Sequence, residues 1–231
     1  MGIQTLLITG DNNHDWARSA PFCRDLMQGT GRFSVELTER PSEILANRAE
    51  LSKYQLFFVD YSGPDWSDEA KMHFVDAVRG GVSVCILHAA NNSFGGWREY
   101  EEICALMWRK GSSHGTYHAF DVKIADVEHA ITAGMPPVLK AHPDELYHGL
   151  VHMHGAPFEV LATAESSLES GGSGKEEPVL VVKTYGKGRI FHYILGHVWS
   201  GGPMDTFESS DFQRLLLRGC EWAATGEVAP E

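Results

Sequence analysis

The sequence has no Cys-x-x-Cys pair, no apolar run long enough to cross a bilayer and no excess of positive charge. Its four cysteines, Cys23, Cys85, Cys104 and Cys220, stand singly in 231 residues. A chain of that length buries a core without covalent staples, so they read as reduced thiols packed as small hydrophobes in a cytoplasmic protein. No stretch reaches the roughly 20 apolar residues of a membrane span, and no membrane partner is expected. The opening MGIQTLLITGDN has no basic region before its apolar run and reads as a first strand, not a signal peptide. The formal net charge of −12 argues against nucleic acid and anionic lipid as partners, because both need a concentrated basic patch. Gly10 stands alone after the first apolar run, with no G-x-G-x-x-G, so NAD held in the Rossmann manner is not expected. H-E-x-x-H is also missing. Neutral or weakly charged small molecules remain as ligands.

What is present is a regular alternation. Apolar runs at 3–10, 32–40, 55–63 and 82–90 read as strands. Between and after them, 16–31, 42–54, 67–81 and 95–107 read as helices, with Pro21 either in a first turn or at a kink. Such β-α-β alternation with short loops calls for a parallel sheet covered on both faces, an α/β fold. Ligands of such sheets bind at the carboxyl ends of the strands, here 10–16, 60–63 and 88–96. The second half reads as a strand and helical turn over 117–135 and a strand at 158–166. A polar, glycine-rich and mobile loop follows at 167–177. A hairpin over 178–196 turns at 186–188, and a closing helix spans 209–226. The segment 142–150 fits no element cleanly. No linker divides the chain, which reads as one domain over 1–231.

Twelve histidines are the main chemical signal; His14, His88, His114, His118, His148, His192 and His197 are the most relevant, and most of them lie near strand ends or in loops, with His192 inside a strand. Any one histidine is more often surface or hydrogen-bonded core than functional. His73 and His129 read as structural, and His152 and His154 as exposed. His88 stands out because Val82 to Leu87 is apolar but for Ser83, and a strand buried on both faces has no packing need for an imidazole. The NNSFGGW that follows supplies amides and glycine N–H groups suited to a polyhydroxylated or carbonyl ligand. His197 follows the glycine that ends FHYILG and shares the rim of His88 if its strand runs parallel to the first four. Glu145, in HPDELYH, is the best-placed carboxylate. If partly buried it would have a raised pKa and serve as acid or base; if at a helix start it would be stabilised by the dipole. Asp11, Asp15 and Asp60 are weaker carboxylate candidates.

The stretches HAANNSFGGWREYEEI, HGTYHAFDVKIADVEHAITAGMP, HPDELYH and YGKGRIFHYILGHVW, in this order, resemble the trehalose-utilisation (ThuA-like) family, and the likeness runs over about residues 3 to 228. It implies the class I glutamine amidotransferase-like superfamily: a flavodoxin-like, mostly parallel sheet with helices on both faces, here with an added β-hairpin. Amidotransferases carry a cysteine on a tight turn after a central strand, with a histidine and a glutamate later in the chain. Here His88 stands at the turn, Cys85 falls three residues early, and Trp199 stands two residues after His197 where the glutamate would be. Thiol chemistry on glutamine is therefore not expected.

The resemblance implies carbohydrate catabolism on a disaccharide or 3-keto-glycoside, with a functional link to a sugar dehydrogenase. His88, Glu145 and His197 are placed at the catalytic centre, acting as acid, base or ligands of a divalent zinc or manganese ion. His14, His118 and His148 are expected to line the pocket, with Asn91, Asn92 and Trp97 as sugar contacts. The alternatives are a non-catalytic sugar-binding or regulatory protein on the same fold, and a metal-dependent hydrolase of a non-sugar amide. A homodimer is the expected assembly.

Overall fold

The computed structural model of the chain describes residues 2–230. Strand β1 (Ile3–Ile8) leads to helix α1 (Trp16–Gly29), β2 (Phe33–Thr38), the short helices α2 (Pro41–Ala46) and α3 (Arg48–Leu51), and β3 (Leu56–Val59). Helix α4 (Asp68–Gly80), β4 (Ser83–Leu87), a tight 3-10 turn over His88–Asn92 and α5 (Arg98–Cys104) follow. Next come the short strands β5 (Leu106–Met107) and β6 (Ser113–His114), then β7 (His118–Ile124) and β8 (Val138–Asp144). The two-residue strands β9 (Tyr147–His148) and β10 (Val151–His152) precede the long β11 (Glu159–Ser166), β12 (Lys175–Tyr185) and β13 (Gly188–Tyr193). Helices α6 (Asp205–Glu208) and α7 (Ser210–Thr225) close the chain.

Nine strands form one sheet in the order β2-β1-β3-β4-β13-β12-β11-β7-β8. The first five are mutually parallel, and the remaining four pairings are antiparallel. The key pairing is β13 beside β4 in parallel, with Tyr193 opposite Leu87. It sends the residues after both strands to one rim. β12 and β13 are the expected hairpin, with Tyr185 opposite Gly188.

The apolar runs are explained by burial on both faces. In β1, Leu7 joins a core layer with Ala20, Cys23 and Met27 of α1 and Leu215, Leu216 and Cys220 of α7. Its neighbours Leu6 and Ile8 join the opposite layer with Phe74, Val75 and Val78 of α4 and Tyr100 of α5. Alternate residues of a strand point to opposite faces, so only an unbroken apolar run satisfies both layers. Each such buried side chain contributes about 1.5–3 kcal/mol. Helix α4 has clear punctuation: Ser67 Oγ accepts from Ala70 N at 3.2 Å, and Asp68 and Glu69 occupy the first turn.

Several boundaries differ from the sequence reading. Pro21 is the sixth residue of α1, beyond the first turn. The helix expected over 42–54 is two short ones broken at Asn47. The helix expected to 107 stops at Cys104, because Ala105 takes φ +62 and turns Leu106–Met107 into a strand paired with β10. The uncalled 142–150 holds the end of β8 and all of β9. β12 begins at Lys175, inside the segment expected to be loop, and the shortened turn is tied by Gly172 N to Ser167 O and Gly174 N to Ser166 O. No helix among the described residues is long and apolar enough to cross a membrane.

Candidate active site

The chain leaving β4 turns at once. His88 takes φ +41, an uncommon conformation for a residue with a Cβ, and opens the 3-10 turn with its side chain 2% exposed. Its Nδ1 lies 2.7 Å from the carbonyl oxygen of Ile194. A carbonyl only accepts, so Nδ1 carries the proton and Nε2 keeps its lone pair. Burial pushes the His88 pKa well below its ordinary value, with His14 and His197 adding to the shift. The ring is therefore neutral, and Tyr147 stacks on it at 4.2 Å between centroids.

His14 is delivered by the loop after β1 and is fixed in the same way. Its Nδ1 faces Asn12 Oδ1 at 3.2 Å and Asn13 Oδ1 at 3.1 Å. Asn12 cannot turn its amide over, because its Nδ2 donates to the buried Asp60 at 3.1 Å, and Ser19 Oγ donates to the other oxygen of Asp60 at 2.6 Å. His14 Nδ1 thus donates, and its Nε2 lone pair faces the cavity. Burial, then His197 and His114, lower its pKa to about 3.

His197 follows β13. Gly196 before it has φ +130, which side chains rarely adopt, and its N–H donates to Asp144 Oδ2 at 2.8 Å. Asp144 Oδ1 accepts from His197 N at 3.0 Å, so one buried carboxylate pins this turn. Burial lowers the His197 pKa, partly offset by Asp144.

The three imidazoles converge. His197 Nδ1 lies 2.9 Å from His14 Nε2 and 3.4 Å from His88 Nε2, and one nitrogen of each ring falls within 4.8 Å of the other two. A single proton on His197 can serve only one of the two lone pairs that face it. A cation among the three serves all of them, and the outward-facing nitrogens of His14 and His88 carry the oxygen acceptors that metal-ligating histidines need behind them. Three neutral imidazoles fit a divalent ion such as zinc. Among the described residues no other group of three histidine, cysteine or carboxylate side chains converges in this way.

Glu145 stands beside the cluster, with Oε1 3.4 Å from His197 Nδ1 and 3.2 Å from His114 Nδ1. Burial raises its pKa to about 7, opposed by His114 and reinforced by Asp144. The cavity in front has a volume of about 250 Å³ and is lined by Asn13, His14, Ala89, Asn92, Trp108, His114, Glu145, Tyr147 and His197. A larger recess of about 460 Å³ beside Arg48, Tyr54, His73 and Asp76 brings together no comparable set of side chains.

Of the residues singled out in the sequence, the structure brings together His14, His88, Asn92, His114, Glu145 and His197. The expected metal set is His88, Glu145 and His197; the three side chains whose ligand atoms converge are His14, His88 and His197, with Glu145 Oε1 3.4 Å from His197 Nδ1. Asn91 is buried behind the cavity, 3.3 Å from His192. His148 lies in the β6–β9 ladder opposite Ser113. His118 is turned to the Thr116 carbonyl at 2.8 Å and lines a separate surface groove. Trp97 packs in the opposite core layer against Tyr100 at 5.4 Å and Phe94 at 5.2 Å. Tyr147 and Asn13 are not singled out as site residues by the sequence alone. Tyr147 could have been, since it lies two residues from Glu145. No cysteine lines the cavity: Cys85 packs between the sheet and α7 with its thiol pushed far up by burial.

The family model described as "ThuA: Trehalose utilisation" matches residues 4–223. A crystal structure of a ThuA-like protein from Parabacteroides merdae is 35% identical, covers 100% of this chain and 93% of its own, and superposes with a TM-score of 0.91. A ThuA-like protein from Bacteroides uniformis is 15% identical over 98% of this chain and 92% of its own, with a TM-score of 0.71. The glutaminase domain of Trypanosoma brucei CTPS, at 10% identity, covers 98% of this chain and 95% of its own with a TM-score of 0.54, a likeness of fold alone. No curated protein matches.

Proposed function

The chain belongs to the ThuA trehalose-utilisation family, and on that premise we propose that the strand-end cavity is the active site of a sugar-catabolising enzyme acting on a disaccharide or keto-glycoside. The observation that carries this reading is the convergence of His14, His88 and His197, with two of the three tautomers fixed from behind. These three would hold a divalent zinc or manganese ion. Bound there, such an ion supplies Lewis-acid polarisation of a substrate carbonyl.

The remaining chemistry belongs to the chain. Glu145, raised to about 7, is poised near neutral pH to take a proton from the carbon next to a ketone and to return it. His114 Nδ1 donates to the Gly115 carbonyl at 2.8 Å and lies 3.2 Å from the Glu145 carboxylate, on one side of it. Tyr147, whose pKa burial pushes well above 10, stays protonated and places its hydroxyl 3.5 Å from His14 Nε2. Asn13 and Asn92 offer amides to sugar hydroxyls, and Trp108 gives the cavity an apolar wall. Isomerisation or elimination of the glycosidic oxygen both begin with this proton transfer. The oxidation that makes a keto-sugar falls to a partner dehydrogenase.

The test is metal content per chain in untagged protein, followed by solvent-deuterium exchange into a 3-keto-disaccharide. Near-stoichiometric metal in the wild type, lost in His88→Ala, together with exchange that depends on Glu145, supports the reading. Absence of metal after reloading with zinc and manganese would falsify its metal component. Saturable sugar binding without exchange would favour a non-catalytic sugar-binding protein, a reading that draws on the lack of a thiol at the cavity.

A further inference from the structure

The cavity is small for the molecule it is proposed to receive. Sites that enclose a drug-sized ligand run to about 300–1,000 Å³, and this one holds about 250 Å³. One sugar ring has room beside Glu145 and the histidines. A second ring, joined through a glycosidic oxygen, has to lie outside on the rim. What stands there is Trp199, an exposed large aromatic side chain at 39% exposure, with its ring 5.3 Å from that of His197.

Trp199 is held as a platform. Its indole rests against Gly202, where a Cβ would come within 2.4 Å of the ring, so only glycine permits the contact. Gly202 N donates to Trp199 O at 2.8 Å, closing a tight turn. Arg18 spans the same turn, donating to Trp199 O at 2.7 Å and Gly202 O at 2.9 Å while its Nε pairs with Asp15 at 2.8 Å. Asp15 N in turn donates to Val198 O at 2.9 Å. The loop that carries Trp199 is therefore tied to the segment that carries His14. Tyr117 meets the indole edge-on at 5.2 Å, and its hydroxyl is anchored on Thr206 Oγ1 at 3.4 Å. An indole fixed by backbone contacts and left exposed is pre-organised for a ligand, since little freedom is lost when one binds.

We infer that Trp199 and Tyr117 form an outer sugar subsite, which receives the non-reacting pyranose ring of a disaccharide whose other ring occupies the cavity. The C–H face of a pyranose is apolar and complements an aromatic face, while its hydroxyls stay in water at the rim. The inference rests on the sugar reading of the cavity and adds a preference for disaccharides over monosaccharides.

The test is calorimetric titration of the zinc-loaded full chain with trehalose and with glucose, in wild type, Trp199→Ala and Trp199→Phe. Wild type is expected to favour trehalose by about three- to tenfold, the scale of one aromatic contact. Trp199→Ala should bring the ratio to about one with glucose affinity and zinc content unchanged, which also shows that the variant folds. Trp199→Phe should keep most of the preference. A trehalose preference that survives in Trp199→Ala, or an equal loss of both sugars there, overturns the subsite. So does a change of oligomeric state with the sugar ratio intact, which would mark Trp199 as a subunit contact. Wild type binding glucose and trehalose alike overturns the subsite and leaves the sugar reading standing. Wild type binding neither overturns the subsite for these sugars, and if the 3-keto-disaccharide of the exchange test also fails to bind, the sugar reading itself falls.

Discussion

Asn12 divides its amide between Asp60 and His14: Nδ2 goes to the carboxylate at 3.1 Å and Oδ1 to the imidazole Nδ1 at 3.2 Å. A buried carboxylate beneath the site thereby decides which nitrogen of His14 faces the cavity. Removal of such a partner from a metal-binding histidine typically costs about 10–100-fold in affinity. Asn12→Ala should fall near tenfold, because Asn13 Oδ1 remains 3.1 Å from the same nitrogen. Competition with a chromophoric zinc chelator measures it, and unchanged affinity would remove Asn12 from the account.

Metal removal should be felt in stability. With free zinc at about 100 times its Kd, binding adds roughly 2.7 kcal/mol, or roughly 5–10 °C of Tm for a chain of this size. EDTA should abolish that increment in the wild type and have no effect on His88→Ala. An equal response from both proteins would place the stabilising ion elsewhere.

Glu145 and the histidines should separate by role. Glu145→Gln keeps the shape and one oxygen but cannot take a proton at neutral pH. It should retain zinc within a few-fold and lose about 10²–10⁴ in proton-exchange rate. If it instead lost zinc in step with His88→Ala, Glu145 would be a ligand and the base would have to be sought elsewhere.

Asp60 gives the metal-free protein a pH signature. Burial raises its pKa from 3.8 to about 6, against the hydrogen bonds from Ser19 and Asn12 that favour the charged form. The folded state then holds this proton more tightly than the unfolded state does. The contribution is fully present below pH ~4 and is lost as pH rises through about 6, with a span of about 3 kcal/mol. Asp60→Asn should flatten that part of the stability profile in urea titrations at pH 4.5 and 7. A profile with the wild-type slope would mean that other groups set it.

Helix α7 lies close against the sheet at Gly219, where a Cβ would sit 2.2 Å from Phe191 Cζ. Gly219→Ala should therefore destabilise the fold by about 1–3 kcal/mol through overpacking, despite the better helix propensity of alanine. A stabilised variant in chemical denaturation would show that Phe191 has room to move.

The parallel half of the sheet was legible because both-face burial leaves an unmistakable mark: four consecutive apolar residues, Val84 to Leu87, before His88, and glycines closing the helices. His88 was legible for the same reason, as a polar residue with no packing excuse. The partnership of His14 with His88 was not, since nothing in local spacing says that the loops after β1, β4 and β13 meet. Trp97 looked like a sugar contact because it follows the polar NNSFGG. The turn in between directs it into the aromatic cluster with Phe94 and Tyr100. His118 shares its motif with His114, but alternation along β7 and a local carbonyl partner turn it away. Short segments such as β5 and β9 owe their conformation to distant partners, and no window of sequence contains those partners.

β13 lies against β4 in space but about a hundred residues later in the chain, with Phe191 opposite Cys85. A nascent chain folded as far as β4 holds His14 and His88 and lacks His197. It also lacks Ile194, whose carbonyl sets the tautomer of His88. The centre is thus completed late, with only α6 and α7 still to follow, and a product truncated before β13 would carry two of the three imidazoles and no completed triad.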